Sequence, residues 1–131
     1  MHINHIAIWV DDLEKMKDFY LVHFNATASE KYVNPVKQFS SYFISFANGK
    51  GRIELMHNPH TPTTIGKRGY AKGWAHLAIT VGDRRKVNEM TENFRQQGFT
   101  ITGEPRVTGD GYYEAVFLDP EGNVVELVAN N

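Results

Sequence analysis

The chain has 131 residues, long enough for one domain with a real core, and its 14 basic and 15 acidic side chains leave a formal net charge of −1. That balance excludes a nucleic-acid surface, whose footprint is a clustered basic excess. Cysteine is absent, which removes disulfides, thiolate metal sites and a thiol nucleophile. Asp11, Asp12 and Glu14 arrive before any long apolar run, so neither a signal peptide nor a membrane span is expected, and the location expected is cytoplasmic.

The first element is a strand over residues 3–10, "INHIAIWV". Asp11 or Asp12 then offers a helix N-cap, Leu13, Met16, Phe19, Tyr20 and Phe24 recur at helical spacing, and Asn25 is a left-handed stop. A weak strand near 26–33 precedes firmer ones at 40–47 and 52–57. Residues 59–73, "PHTPTTIGKRGYAKG", carry two prolines and three glycines and read as a linker that can serve as a flap. Next come a strand at 74–81, then a helix capped by Asp83 with Val87, Met90 and Phe94 on one stripe and Gly98 closing it. Strands near 99–103, 112–118 and 123–129 follow, the last two joined by the turn "DPEG" at 119–122.

The two halves repeat one another. "INHIAIWVDDLEKM" set over "WAHLAITVGDRRKV" places His5 on His76, Ala7 on Ala78, Val10 on Val81 and Asp12 on Asp83, all 71 positions apart. "FANGKGRIELM" lies over "LDPEGNVVELV", so that Glu54 meets Glu126 after 72 positions. The layout is therefore β-α-β-β-β, twice: module 1 over about 1–58, the linker 59–73, and module 2 over about 74–131.

Alternation along strands sorts the faces. Ile3, His5, Ala7 and Trp9 share one face and Ile6, Ile8 and Val10 the other; Trp74, His76, Ala78 and Thr80 oppose Leu77, Ile79 and Val81. Glu54 faces with Arg52, Met56 and Asn58, and Glu126 with Val124 and Val128. The aliphatic faces are seats for helices, which leaves a His or a Glu on each opposite face. An inward carboxylate is costly unless paired, hydrogen-bonded or metal-bound, and two His with two Glu at duplicated positions relieve that cost together around one divalent cation. Two metal-free His–Glu hydrogen-bonded pairs are the competing arrangement. His57 and His60 read as structural or peripheral, because prolines at 59 and 62 argue against the helix that "HNPH" would need, and His2 and His23 read as terminus and helix surface. Trp9, Phe43, Met56, Trp74 and Tyr113 are candidate pocket walls.

With "NHIAIWVDDLEKMKDFY", "RIELM", "WAHLAITV" and "DGYYEAVFLDPEGNVVELV", nearly the whole chain resembles the vicinal oxygen chelate superfamily, and His5, Glu54, His76 and Glu126 resemble the short bacterial form of glyoxalase I within it. The resemblance implies an α+β fold in which two βαβββ modules form a cupped mixed sheet, a single glyoxalase-like domain over 1–131. It implies a metalloenzyme of the lactoylglutathione lyase kind, acting on a 2-oxoaldehyde–thiol hemithioacetal through a metal-chelated enediolate. Nickel or cobalt is favoured over zinc, and glutathione or another small thiol is the co-substrate. By resemblance Glu126 is the base and Glu54 its counterpart, while Asn58 matches a glutathione-contacting Asn. The pattern departs at Trp9, where glyoxalase I usually has an Arg that meets a glutathione carboxylate; Lys67, Arg68 and Arg106 are alternative cations. Small bacterial members imply a homodimer with sites shared across the interface. Two other readings stand beside this one: an acyl thioester epimerase, whose family tends to carry Gln at the position of Glu54, and a metal-vestigial protein that binds an antibiotic or other small molecule.

Overall fold

A computed structural model describes residues 1–47, 51–63 and 66–130. The chain divides into two compact units, Met1–Thr63 and Thr64–Asn131. In the first, β1 (Ile6–Trp9) leads to α1 (Leu13–Phe24), followed by β2 (Thr27–Ala28), β3 (Tyr32–Asn34), β4 (Phe39–Ser45) and β5 (Arg52–His57). In the second, β6 (Leu77–Gly82) leads to α2 (Arg84–Gln96), then β7 (Ile101–Val107), β8 (Tyr113–Leu118) and β9 (Val124–Ala129). Each sheet is mixed. β1 lies parallel to β5 at one edge, as β6 lies parallel to β9, and the remaining neighbours are antiparallel in the orders β1-β5-β4-β2, with β3 also on β4, and β6-β9-β8-β7.

Both helices begin at the aspartates that capping chemistry favours. The Asp12 and Asp83 carboxylates accept from the backbone N–H of Lys15 and Lys86, each at 2.9 Å, and satisfy donors left over in the first turn. Asn25 ends α1 at φ 51°, in the left-handed region an Asn tolerates. Leu13, Met16, Phe19 and Tyr20 bury against a sheet whose inward side chains include Ile44, Ile53 and Leu55. In the second unit Val87, Met90 and Phe94 meet Ala115, Phe117, Val125 and Leu127, with the Phe94 and Phe117 rings stacked at 4.3 Å. Alternation then leaves the other face of each sheet to polar and aromatic side chains.

Four strands differ from expectation. The one expected near 26–33 is two short strands, because Ser29 breaks the ladder on β4: its hydroxyl accepts the Phe43 N–H at 3.0 Å while its own N–H donates to the Phe43 carbonyl. The strand expected at 74–81 starts at Leu77, as the one at 3–10 starts at Ile6, so His5 and His76 each stand one residue ahead of the ladder. β7 runs on to Val107 through Pro105, which an edge strand accommodates because no neighbour needs the missing N–H. The described linker residues contain neither helix nor strand; Thr64 and Ile65 lie outside the described residues, as do 48–50, within the repeat segment 46–56.

Candidate functional site

The parallel register of each edge pair places a histidine beside a glutamate. In the first unit Ala7 lies opposite Glu54, and His5 Nε2 stands 3.6 Å from the Glu54 carboxylate, whose side chain is 16% exposed. The Asn4 amide oxygen accepts from His5 Nδ1 at 2.8 Å and from the Arg52 guanidinium at 2.6 Å. Because Nδ1 is thereby the protonated nitrogen, the Nε2 lone pair faces the glutamate side. The Phe43 ring, at the register position across from Glu54, meets the imidazole edge-on at 5.1 Å and carries Arg52 on its face at 4.7 Å.

The second unit repeats the pair with different surroundings. Ala78 lies opposite Glu126, and His76 Nε2 is 3.2 Å from the Glu126 carboxylate, again 16% exposed. The neighbours of the first pair have no equivalent: Ala75 and Val124 occupy the positions of Asn4 and Arg52. Instead Glu114, two residues along β8 from the partner of Glu126, shares its face and pairs with Arg106 at 3.4 Å. Gly103 permits this, since a Cβ there would stand 2.9 Å from the Arg106 guanidinium and from Val116. Burial raises the Glu126 pKa from its ordinary value; Glu114 adds to the effect, while His76 and Arg106 oppose it.

These donors suit a divalent cation. Two ligands about 2.0–2.2 Å from one ion stand roughly 3.0–3.5 Å apart at tetrahedral or octahedral angles, close to the separations in both pairs. Among the described residues no three His, Asp or Glu side chains gather around one point, so the four candidates come together as two pairs, one per unit.

The remaining candidates are placed as follows. Asn58 donates one amide N–H to the Lys37 carbonyl at 3.0 Å and accepts from the His60 N–H at 2.9 Å, so it braces the loop and retains a second N–H. Trp9 is 45% exposed and meets Phe39 edge-on. Trp74 is strongly exposed. Tyr113 is no wall of this face: its hydroxyl donates to Asn88 on α2 and its ring lies beneath Arg84, because β8 alternation turns it with Ala115 and Phe117 to the helix side. His57 bonds the Val10 carbonyl and His60 the Gln38 amide oxygen, both structural contacts. Asn4 and Glu114 were missed from sequence. Alternation from Val116 could have found Glu114, whereas nothing local singles out Asn4.

Part of the linker belongs to the second unit. Arg68 donates to the Asn123 amide oxygen at 3.2 Å, and Gly69, at φ 83°, packs where a Cβ would collide with the Ala75 carbonyl. The turn it meets is organised by Asp119, whose carboxylate accepts from the Glu121 and Asn123 N–H groups and from the Asn123 amide. Asp119→Ala is expected to lower stability by about 2 kcal/mol, measured by urea unfolding, since it strands several donors at a buried turn. Burial raises the Asp119 pKa above the ordinary value, so this carboxylate subtracts stability as pH rises through that window. The variant loses that slope.

Comparison with known proteins gives a consistent result. The family model described as Glyoxalase/Bleomycin resistance protein/Dioxygenase superfamily matches residues 2–127. A lactoylglutathione lyase of Arabidopsis thaliana is 29% identical over 95% of this chain, which spans 42% of the plant protein's length. The mitochondrial methylmalonyl-CoA epimerase of Bos taurus is also 29% identical, over 95% of this chain and 72% of its own. The crystal structure of glyoxalase I from Zea mays superposes with a TM-score of 0.77 at 26% identity, covering 99% of this chain and 46% of that one. No helix among the described residues is long and apolar enough to cross a membrane.

Proposed function

Because this chain belongs to the Glyoxalase/Bleomycin resistance protein/Dioxygenase superfamily, we propose that it is a metal-dependent, glyoxalase I-like lyase that isomerises a 2-oxoaldehyde–thiol hemithioacetal. The observation that carries this reading is the duplicated pair, His5 with Glu54 and His76 with Glu126, each carboxylate largely withdrawn from water. In the proposal these four side chains hold one divalent cation, nickel or cobalt ahead of zinc, with the two pairs supplied by two copies of the chain in a homodimer. A bound divalent cation supplies Lewis-acid stabilisation of negative charge on two neighbouring substrate oxygens.

The protein's own groups do the rest. Asn4 holds the His5 ring so that Nε2 is its free donor atom. Glu126, with its proton affinity raised by burial and by Glu114, takes the proton from one substrate carbon and delivers it to the next. Glu54 is its counterpart. The second N–H of Asn58 is available to a carboxylate of the thiol co-substrate.

A second reading, an acyl thioester epimerase, is favoured by the equal identity to the bovine epimerase and uses the same proton transfer. Protein purified without chelator is to be assayed with methylglyoxal and glutathione after loading with nickel, cobalt or zinc, and with a chiral 2-methyl acyl thioester in heavy water. Hemithioacetal turnover with nickel or cobalt is expected. Stoichiometric metal binding with no such turnover would overturn the lyase reading, and deuterium incorporation into the thioester would then establish the second.

A further inference from the structure

Beyond the His5–Glu54 pair, the same face of the first unit carries a cavity of about 400 Å³ lined by Trp9, Tyr32, Asn34, Lys37, Phe39 and Asn58. We propose that this aromatic trough binds a planar aromatic ring bearing an anionic substituent. The site does not rest on the function proposed above.

Position comes first. Trp9 lies opposite Met56, two residues beyond the Ala7–Glu54 pairing and on the same face. Two residues of strand cover about 7 Å, so one small molecule reaches both places. The volume falls within the range of small-molecule sites, roughly 300–1,000 Å³.

The lining chemistry then narrows the ligand. Phe39 meets Trp9 at 6.1 Å and 88°, and Tyr32 at 6.0 Å and 57°, so two rings splay from a shared one. Trp9 and Tyr32 are 45% and 55% exposed, so both rings are accessible to a ligand from solvent. A third flat ring entering between them gains edge-to-face and stacked contacts that an alkyl chain cannot make.

Charge selects the substituent. Lys37 is the one cation among the described lining residues, and no carboxylate lines the cavity to neutralise it. Its backbone is pinned from two sides, by the Asn34 carboxamide oxygen accepting its N–H at 3.0 Å and by Asn58 donating to its carbonyl. A lysine whose backbone is held at an aromatic trough can bring its ammonium to a ring with a carboxylate or phosphate attached.

The test uses the full chain with metal removed by chelator, so it is independent of catalysis. 2-Naphthoate is titrated while the tryptophan indole N–H signals are followed by heteronuclear NMR; the chain has two tryptophans, and Trp74→Phe assigns them. The Trp9 signal is expected to shift saturably. Lys37→Ala is expected to weaken 2-naphthoate about tenfold while leaving uncharged 2-naphthylmethanol unaffected, as loss of one charge-assisted contact requires. By calorimetry, Trp9→Ala and Tyr32→Ala should each weaken 2-naphthoate; the half-exposed Tyr32 provides the second variant if Trp9→Ala does not fold. An unmoved Trp9 signal overturns the proposal, as does equally tight binding of cyclohexanecarboxylate, which has the charge without the ring. Normal naphthoate binding in a protein that turns over no hemithioacetal refutes the lyase reading and upholds the trough.

Discussion

Glu126→Gln is expected to reduce kcat by about 10²–10⁴-fold while the protein still binds its cation, because the amide keeps a ligand oxygen but cannot carry the proton. The physical basis is the asymmetry between two otherwise duplicated pairs. Glu126 shares its face with a second carboxylate, Glu114, and its pKa is raised first by burial. Glu54 instead lies on a face with Arg52, which is tied to Asn4 and stacked on Phe43. Glu54→Gln is therefore expected to weaken metal binding more than it slows proton transfer. Steady-state turnover with nickel- or cobalt-loaded protein, alongside metal content, separates the two effects. Full turnover by Glu126→Gln with metal bound would move the base elsewhere.

Mixing two inactive variants should restore activity. If each site joins the His5–Glu54 pair of one chain to the His76–Glu126 pair of another, His5→Ala and His76→Ala homodimers are both dead. After unfolding and refolding together in equal amounts, half the dimers are mixed, and each carries one intact and one doubly damaged site. Activity of about a quarter of wild type is the expected result for a two-fold assembly. Pairing within a single chain predicts none at any mixing ratio. The readout moves from background to about a quarter of full activity, so it decides the arrangement without a structure of the assembly.

Much of this is legible in the sequence alone. The repeat offset, the aspartate caps of both helices and the strand alternation all follow from local sequence, since capping and side-chain direction depend on a few neighbouring residues. Those same rules put His5 with Ala7 and Glu54 with Met56. The strand near 26–33 was less legible, because the Ser29 hydroxyl competes with the backbone for the Phe43 N–H and no periodicity reports that competition. Tyr113 follows the alternation of Ala115 and Phe117; its aromatic character suggested a wall where register makes it a helix contact.

The sequence by itself determined the two-module plan, the helical and strand faces, and four residues whose chemistry suits a metal. Only tertiary structure decided which groups touch. The β1–β5 register brings Glu54 to His5 from 49 positions away, and Arg52 reaches Asn4 across 48. It also set Glu114 and Arg106 beside Glu126, and opened the Trp9 trough next to the first pair. The reason is physical: pairing between distant strands is settled by burying both helix-facing sides at once, a condition on the whole sheet that no short stretch of sequence contains.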